Sequence, residues 1–428
     1  MDFDMNSGYN KKKLLVLGGK PIGSIELVRR AKELGCYVIV ADYLSIDDSP
    51  AKKIADESWL ISTAEVNELA EKCKLYNVDG ILTAVHEFNI NRMRELCAML
   101  NLPCYCASPA WKYCDNKADF KKLCLNNDIP VAKQYYCGLL DQYEEVFINY
   151  PVVVKPVDGS GSRGFAVCYE AGELDKAMKN AIQYSPSKSI IVEDYIPYDS
   201  VIIHYTCING KSIYGGMSDK KSASFSNTNA PVMGIQFFPS IGQNVYIRKY
   251  DAKVRAMLDA ANFHQGPVWI EAFYDGIDNF IFNEMGYRFG GSLTYYPVKY
   301  FNNVNQLDLL IESALKGACT VPKNCKNNSI IKKYCILPVH IRPGTICNVE
   351  GEIDIQNIED LYAYVPVHFC GDKIEAWGSA QQVFCYLHFT YDDVRELKSI
   401  IHKTLSILRA CDGAGENLLY TLFDINNL

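Results

Sequence analysis

The sequence predicts an α/β fold that begins with a parallel sheet and continues with α+β regions in which strands pair through short loops. In the N-terminal quarter, short apolar runs alternate with amphipathic helical segments, which is typical of a parallel sheet. Beyond residue 150, apolar runs follow one another across short glycine-containing loops, as in hairpins. The 428 residues are enough for two to three domains.

Composition and charge exclude several classes of protein. Apolar residues make up 49% of the chain and charged residues 22%, which is ordinary globular usage and excludes a disordered or collagen-like chain. The net charge of −7 disfavours a nucleic-acid partner, because proteins that bind nucleic acid usually carry an excess of basic residues.

The cysteines and the N-terminus predict a cytoplasmic protein. The chain has 17 cysteines, an odd number that cannot all pair internally. Its polar first residues do not resemble a signal peptide, and no apolar run approaches the ~18 residues of a membrane span. We therefore expect free thiols in a reducing compartment and no membrane partner. Cys104 and Cys106 form a C-x-C with no second pair at zinc-ribbon spacing, so no structural metal site is expected.

The first predicted domain covers residues 12–112 and follows an N-terminus, residues 1–11, that we expect to be disordered. Hydrophobic periodicity gives its elements in order: a strand over 14–17, a helix from Ile25 with Ser24 as N-cap and Gly35 at C′, a strand over 37–41, helices over 65–76 and 86–100, and a strand over 80–84 between them.

A glycine loop follows the first strand, and its chemistry stays open. A dinucleotide fingerprint starting at Gly18 needs glycine at position 20, where the chain has Lys20. Asp42, at the end of the second strand, would be the ribose-binding acid of an NAD site. The alternatives are a tight strand-to-helix turn or a helix N-terminus open to an anion.

A second glycine loop, residues 159–164, lies between strands predicted over 151–155 and 165–169. It is not a P-loop, because the G-x-x-x-x-G-K-[ST] pattern is absent. Lys155 precedes the loop by four residues, and a lysine beside backbone N–H donors suits a triphosphate. A plain hairpin loop is the alternative.

Two carboxylates interrupt apolar strands predicted over 268–273 and 279–284, which join at the turn Asp275-Gly276. Glu271 and Glu284 would face one another, and burying them is costly unless a cation lies between them. Mg²⁺ commonly uses one or two carboxylates together with substrate phosphates. A buried salt bridge to Arg288 is the alternative.

The remaining elements complete the predicted organisation. Helices are expected over 116–127, 173–184, 249–262 and 391–408, a strand over 189–192, and a final strand near 419–423. The polar stretch 218–229 is expected to be a mobile loop that acts as a lid. After the first domain, the sequence is predicted to form three further regions, which cover residues 113–195, 196–325 and 326–428.

These signals, in this order, resemble the ATP-grasp superfamily over residues 12–428. The resemblance rests on five motifs: Asp115-Asn116-Lys117, the segment 151–156 with its Gly-Ser loop, the segment 192–196, the segment 266–271, and Glu284-x-Gly-x-Arg288-x-Gly290-Gly291. It implies a pre-ATP-grasp domain followed by two lobes that clasp ATP: a small ATP-binding lobe over 113–195, a large lobe with the Mg²⁺ site over 196–325, and a C-terminal lobe over 326–428 that completes the substrate site.

The resemblance also implies roles for single residues. Residues that would bind ATP are Lys117 and Lys155 at the phosphates, Ser160, Gly161 and Ser162 in the covering loop, Glu193 at the adenine amino group, Tyr195 and Ile196 in the hinge, Asp199 at the ribose, and Glu284. Glu271 and Glu284 would bind Mg²⁺, for which Mn²⁺ could substitute. Arg288 would steady the acyl phosphate, and Lys155 would share its catalytic role.

The activity that the resemblance implies is an ADP-forming carboxylate–amine ligase, such as an amino-acid ligase or a carbamoyl-phosphate-synthetase-like protein. Its partners would be a small carboxylate and an amine, and many relatives are homodimers. Candidate substrate contacts are His86, Lys220 and Arg342, with a structural histidine and a solvated lysine pair as the alternatives for the first two.

One departure from the family pattern supports a second reading. Many relatives carry asparagine as a third metal ligand two residues after the second glutamate, where this chain has Gly286. The alternative function is therefore a nucleotide-binding protein without ligase turnover, acting as a sensor or a degenerate subunit.

Overall fold

A parallel sheet opens the fold, as the sequence predicts. The computed structural model describes residues 9, 11–107, 109–144, 146–159, 161, 163–226, 231–321 and 332–428. The first sheet has the strand order β3-β2-β1-β4, all parallel. Its strands are β1 Lys13–Leu17, β2 Tyr37–Asp42, β3 Glu57–Leu60 and β4 Gly80–Leu82. The helices are α1 Ser24–Glu33, α2 Pro50–Ile54, α3 Val66–Tyr76 and α4 Glu87–Leu100.

The first glycine loop is a tight strand-to-helix turn. Gly23, with φ +87°, takes the N-cap position of α1, so the predicted cap at Ser24 was wrong; a left-handed residue at this point favours glycine. Gly35 has φ +84° after the helix, as predicted. The Asp42 carboxylate accepts from Gly19 N–H at 2.7 Å and pairs with Lys52 at 2.8 Å. Asp42 therefore closes the turn, which favours the structural interpretation of this loop over an NAD site.

A second, antiparallel sheet has the order β5-β8-β6-β7. Its elements are α5 Lys112–Asp115, α6 Lys117–Leu125, β5 Gln134–Leu139, β6 Val152–Pro156, β7 Ala166–Cys168, α7 Ala171–Gln183 and β8 Ser189–Asp194. Alternate valines of β6 pack on the apolar face of α7, with Val152, Val154, Leu174 and Met178 in one buried cluster. This packing fixes the strand that ends in Lys155 and Pro156.

A large antiparallel sheet forms the rest of the molecule, in the order β13-β12-β9-β10-β11-β14-β19-β17, with β21 also paired to β14. Its strands are β9 Ser200–Ile208, β10 Lys211–Ala223, β11 Val232–Phe238, β12 Gly266–Tyr274, β13 Phe280–Gly286, β14 Lys333–Ile341, β17 Leu361–Pro366, β19 Val383–Tyr391 and β21 Leu419–Tyr420. The two short pairs are β15 Gly344–Thr345 with β18 Lys373–Ile374, and β16 Asn348–Glu350 with β20 Arg409–Cys411. The helices are α8 Gln243–Tyr246, α9 Ala252–Ala260, α10 Tyr295–Asn302, α11 Gln306–Lys316, α12 Glu352–Ile355 and α13 Val394–Ile407.

The expected loop over 218–229 was partly wrong. Residues 218–223 belong to β10, where Lys220 pairs with Ser200 of β9 and Gln236 of β11. Residues 227–230 lie outside the described residues. The polar side chains of 218–223 form ion pairs and hydrogen bonds on the sheet, which explains a strand with loop-like composition.

The first domain packs on the large lobe through α11. Arg30 of α1 donates two hydrogen bonds to Asp308, at 2.5 and 3.0 Å, and a Cβ at Gly80 of β4 would lie 2.7 Å from Ala314 O. The N-terminus of α4 lies near the end of the β12–β13 hairpin, where Glu87 pairs with Arg288. Among the described helices, none combines the length and apolar character needed to cross a membrane.

Candidate functional site

The predicted hairpin of two glutamates is confirmed. Glu271 of β12 and Glu284 of β13 are direct register partners. The register shifts between Glu271 and Ala272, so Asn283 is an extra residue on β13. The bulge leaves the Asn283 side chain beside the two acids, where its Nδ2 donates to Glu271 at 3.1 Å.

Glu271 is buried and partnered by a lysine. Lys220 Nζ lies 2.8 Å from its Oε1. Burial raises the pKa of Glu271, but the charge and hydrogen bond of Lys220 outweigh it and the pKa lies below its ordinary value. Lys220 is thus part of the site, whereas the neighbouring Lys221 pairs with exposed Asp199 at 2.5 Å. The solvated-pair interpretation holds only for Lys221.

Glu193 is buried between two lysines. Lys155 Nζ lies 2.7 Å from Oε1, and Lys121 Nζ lies 2.7 Å from Oε2. Burial raises the pKa of Glu193, yet the two lysine charges lower it overall. Burial, together with the nearby charge of Lys155, lowers the pKa of Lys121. The carboxylate holds both ammonium groups in place, and its predicted contact with adenine stays a prediction.

Lys121 is a site residue that the sequence analysis missed. It lies four residues after Lys117 on α6, so the two share one face of the helix. The four-residue spacing from Lys117 was the feature of the sequence that could have identified Lys121.

Lys155 links the two sheets. Its Nζ donates to Asn283 Oδ1 at 2.8 Å in addition to pairing with Glu193. A continuous chain of polar contacts therefore crosses the cleft between the antiparallel sheet and the large sheet, in the order Lys121, Glu193, Lys155, Asn283, Glu271 and Lys220.

Lys117 reaches the second glycine loop. Asn116 caps α6, its Oδ1 accepting from the N–H groups of Ala118 and Asp119. Lys117 Nζ donates to Gly159 O at 2.6 Å and lies 3.7 Å from Glu284 Oε2. Gly161 has φ +66° and open space around it, so the backbone there is accessible to a ligand. Ser160 and Ser162 lie outside the described residues.

Arg288 is held by a residue from the first domain. Its Nη2 lies 2.9 Å from Oε1 of Glu87, and its guanidinium stacks over the Trp269 ring at 5.4 Å. Glu87 begins α4 directly after His86, so the structure places His86 next to Arg288. Burial lowers the pKa of His86, with further lowering by Arg288 and Arg163. Sequence reasoning missed Glu87, because its partner lies 201 residues away in the chain.

The ring of Trp269 accounts for the glycine at position 286. The two residues are register partners, and a Cβ at Gly286 would lie 2.7 Å from Cζ2 of the indole. The ring occupies the space that a side chain at position 286 would need, so this hairpin supplies two carboxylates and no third ligand from that position.

The structure gives contacts for two further predicted residues, Tyr195 and Arg342, and places Ile196 directly after Tyr195. Tyr195 follows β8 and its N–H donates to Pro151 O at 3.2 Å, with Ile196 next to it. Arg342 contacts the C-terminal segment, donating to Asn417 O at 3.3 Å and stacking on Tyr420. The roles of these residues stay predictions.

The donor set fits a magnesium ion that also has substrate oxygens as ligands. Within the described parts of the chain, no group of three or more His, Cys, Asp or Glu side chains has metal-binding geometry. Glu271 and Glu284 form a facing pair, which matches Mg²⁺ sites that use one or two carboxylates plus phosphates. Lys220 neutralises Glu271 in this structure.

Solved structures resemble most of the chain. The L-amino acid ligase from Bacillus licheniformis superposes with a TM-score of 0.73 at 18% identity, covering 94% of this chain and 99% of its own. The biotin carboxylase domain of the Hydrogenobacter thermophilus 2-oxoglutarate carboxylase, solved with MgADP and bicarbonate, gives 0.76 at 17% identity, over 93% and 90%. The chain therefore shares the fold of these two enzymes. The expected α/β ATP-grasp architecture is therefore confirmed.

Curated sequences match a part of the chain. Formate-dependent phosphoribosylglycinamide formyltransferases from Prochlorococcus marinus and Sulfurisphaera tokodaii are 32% and 29% identical over 212 and 214 residues. Each match covers 47% of this chain and 53% or 52% of the relative. The chain thus spans about half the length of the curated relatives it matches. No protein-family profile matches the chain.

Proposed function

We propose that the protein is an ATP-dependent, ADP-forming ligase that activates a carboxylate as an acyl phosphate and joins it to an amine. The observation that carries the proposal is the Glu271–Glu284 hairpin with Lys117 and Lys155 reaching it from the opposite lobe. This arrangement sets two lysines and two carboxylates around one cleft. Phosphoryl transfer needs little more from a protein than such positioning and charge neutralisation.

In the proposed reaction, a carboxylate oxygen attacks the γ-phosphorus of ATP, and ADP leaves. The amine then attacks the acyl carbon, and inorganic phosphate leaves. Lys117 and Lys155 would hold the phosphates, with Lys155 kept in place by Glu193 and Asn283. Glu271 and Glu284 would hold Mg²⁺, which neutralises phosphate charge when bound.

Arg288 is the residue proposed to stabilise the acyl phosphate. Glu87 and the Trp269 ring fix its guanidinium from two sides, so little reorganisation is needed when negative charge develops nearby. His86 lies beside it, and its lowered pKa keeps the imidazole neutral near pH 7. A neutral ring can exchange a hydrogen bond with substrate without adding charge.

The substrate classes proposed are a small carboxylate and a primary amine. The name of the curated relatives pairs formate, a carboxylate, with a glycinamide. The alternative of nucleotide binding without turnover rests on Gly286. Both lysines, both glutamates and Arg288 are in place, and this favours the ligase.

Product analysis of nucleotide turnover tests the proposal. The protein, supplied with Mg²⁺, ATP and pooled small carboxylates and amines that include formate, should form ADP and phosphate only when the pool is present. The Glu284→Gln variant should lose about two orders of magnitude in turnover, because the metal pair is broken. Glu359→Gln, an exposed acid, is the matched control. AMP and pyrophosphate as products would contradict the acyl-phosphate route.

A homodimer is also proposed. The biotin carboxylase domain that shares this fold is described as a dimer, and size-exclusion chromatography with light scattering tests the same state here. The cytoplasmic location stays a prediction.

A further inference from the structure

Three cysteines of the first domain meet at the edge of a cavity. Cys97 lies on α4, and Cys104 and Cys106 lie on the segment that follows it; Cys97 and Cys106 are buried, and Cys104 is partly exposed. The Sγ atoms of Cys104 and Cys106 are 3.8 Å apart. A cavity of about 470 Å³ opens beside them, lined by Cys104, Tyr105, Asn101, His264 and Gln265. A small solute can thus reach one thiol of the three.

We propose that Cys104 is an oxidant-sensitive thiol that forms a reversible disulfide with Cys106 on exposure to a hydroperoxide. The thiolate, not the thiol, is the reacting species, and access decides which thiol of a cluster reacts. Cys104 is the member that faces the cavity, and Cys106 is the buried thiol within contact distance.

The neighbouring groups favour a thiolate at Cys104. Hydrogen bonds from Cys106 and then Cys97 lower its pKa, with a smaller contribution from the charge of Arg94. Arg94 is fixed by donating its Nε–H to Cys106 O at 3.0 Å and by stacking on Trp111. The pKa of Cys106 is raised, mainly by burial, so this residue keeps its proton until it acts as the resolving thiol.

The chemistry needs only the peroxide. The Cys104 sulfur attacks one peroxide oxygen, the O–O bond breaks, and hydroxide leaves to become water, giving a sulfenic acid. The Cys106 sulfur then attacks the sulfenic sulfur, an S–S bond forms, and the hydroxyl leaves as a second water with the thiol proton. The two sulfurs lose two electrons in all, which the peroxide gains. A dithiol reductant reverses the step.

Formation of the disulfide would change the position of Arg288. Closing the 3.8 Å gap to a bond of about 2.05 Å moves both cysteine side chains and forms a small ring that includes the backbone of Tyr105. Tyr105, between the two cysteines, donates its hydroxyl to Tyr287 O at 3.1 Å and packs edge-on against the Tyr287 ring. Arg288 is the next residue, so a shift of Tyr105 is passed to the proposed catalytic arginine.

Peptide mapping tests the site directly. Trypsin releases residues 95–112, which contain Cys97, Cys104 and Cys106 and no other cysteine. After a stoichiometric dose of hydrogen peroxide, this peptide should lose two hydrogens, and dithiothreitol should restore them. Cys104→Ser should abolish the change, and Cys106→Ser should give a sulfenic acid that dimedone traps. A disulfide that persists in Cys106→Ser would contradict the proposed pairing.

Exposed thiols provide the control. Cys137, Cys347 and Cys370 are more exposed than Cys104, so simple accessibility predicts that they react first. The proposal expects the reverse order, with Cys104 alkylated by iodoacetamide about five-fold faster than Cys137 at pH 7, since an ordinary thiol is only a few per cent thiolate there. A labelling order that follows exposure would overturn the proposal.

The effect on turnover rests on the proposed function and is a separate readout. Peroxide should lower ADP formation in the unmodified protein and leave Cys106→Ser much less affected. Turnover that survives complete Cys104–Cys106 disulfide formation would refute the coupling to Arg288. The peptide masses remain decisive for the disulfide even if no ligase activity is found.

Discussion

At the scale of the residue, the buried charges of the cleft depend on one carboxylate. Glu193 separates Lys121 from Lys155, and both lysine side chains are more than nine-tenths buried. Glu193→Gln should destabilise the protein by about 3 kcal/mol, because it leaves two buried ammonium groups facing one neutral amide. Urea unfolding measures the change.

An exposed ion pair is the matched control for that variant. Lys221 pairs with Asp199 on the surface, with both side chains about half exposed. Lys221→Met should change the free energy of unfolding by less than about 1 kcal/mol. Equal losses of unfolding free energy in Glu193→Gln and Lys221→Met would contradict the burial of Glu193 between two lysines.

His340 should make the protein sensitive to mild acid. Its ring is buried, neither nitrogen has a hydrogen-bond partner among the described residues, and burial lowers its pKa from 6.5 to about 4. Because the folded pKa is lower than the unfolded one, stability is present above pH 6.5 and is lost as the pH falls toward 4. At pH 5 the loss from this group is about 2 kcal/mol.

His340→Leu removes that titration. The variant should unfold at a higher urea concentration at pH 5 and show a smaller difference between pH 7 and pH 5 than the parent protein. His402, on the outer part of α13 and exposed, provides the control substitution His402→Leu. An unchanged pH dependence in His340→Leu would contradict a buried neutral histidine at this position.

At the scale of the element, the β12–β13 hairpin determines what the site can bind. Its alternation of apolar residues and its turn were predictable, and so was the facing of Glu271 and Glu284. The bulge at Asn283 was not predictable, because it changes no residue type and is visible only in the register. The position of the Trp269 ring was not predictable either. The ring fills the space that a side chain at position 286 would occupy.

Gly286→Asn tests that packing. The new Cβ would overlap the Trp269 ring, so the variant should lose about 1–3 kcal/mol of stability although it adds an oxygen that a metal ion could bind. Trp269→Ala combined with Gly286→Asn should recover part of the stability. Thermal unfolding compares the parent protein, the single variants Gly286→Asn and Trp269→Ala, and the double variant, and additive losses would show that the two residues do not meet.

The strand over 218–223 shows where composition misleads. A run of serines and lysines is typical of a loop, but β9 and β11 flank these residues and supply their backbone hydrogen bonds. In the folded strand Lys220 forms an ion pair with Glu271, and Asp219 accepts a hydrogen bond from the Ser240 hydroxyl. Such pairings join distant parts of the chain, so local propensity could not reveal them.

At the scale of the whole molecule, the site lies where three parts of the chain meet. The antiparallel sheet supplies Lys155 and Glu193, the large sheet supplies the glutamate hairpin, and the first domain supplies Glu87. Periodicity predicted the main strands and helices of each part, and the family resemblance singled out most of the charged residues. Periodicity could not predict which charges pair, because ion-pair partners such as Glu87 and Arg288 lie 201 residues apart and meet only in the folded chain.

The route of oxygen from substrate to phosphate tests the central claim most directly. The protein would be incubated with ATP, Mg²⁺, an amine pool and carboxylates labelled with heavy oxygen, and the phosphate and nucleotide products analysed by mass spectrometry. Formation of an acyl phosphate followed by attack of the amine predicts one heavy oxygen in inorganic phosphate, with unlabelled ADP. Heavy oxygen in AMP, or amide formation with unlabelled phosphate, would contradict the account.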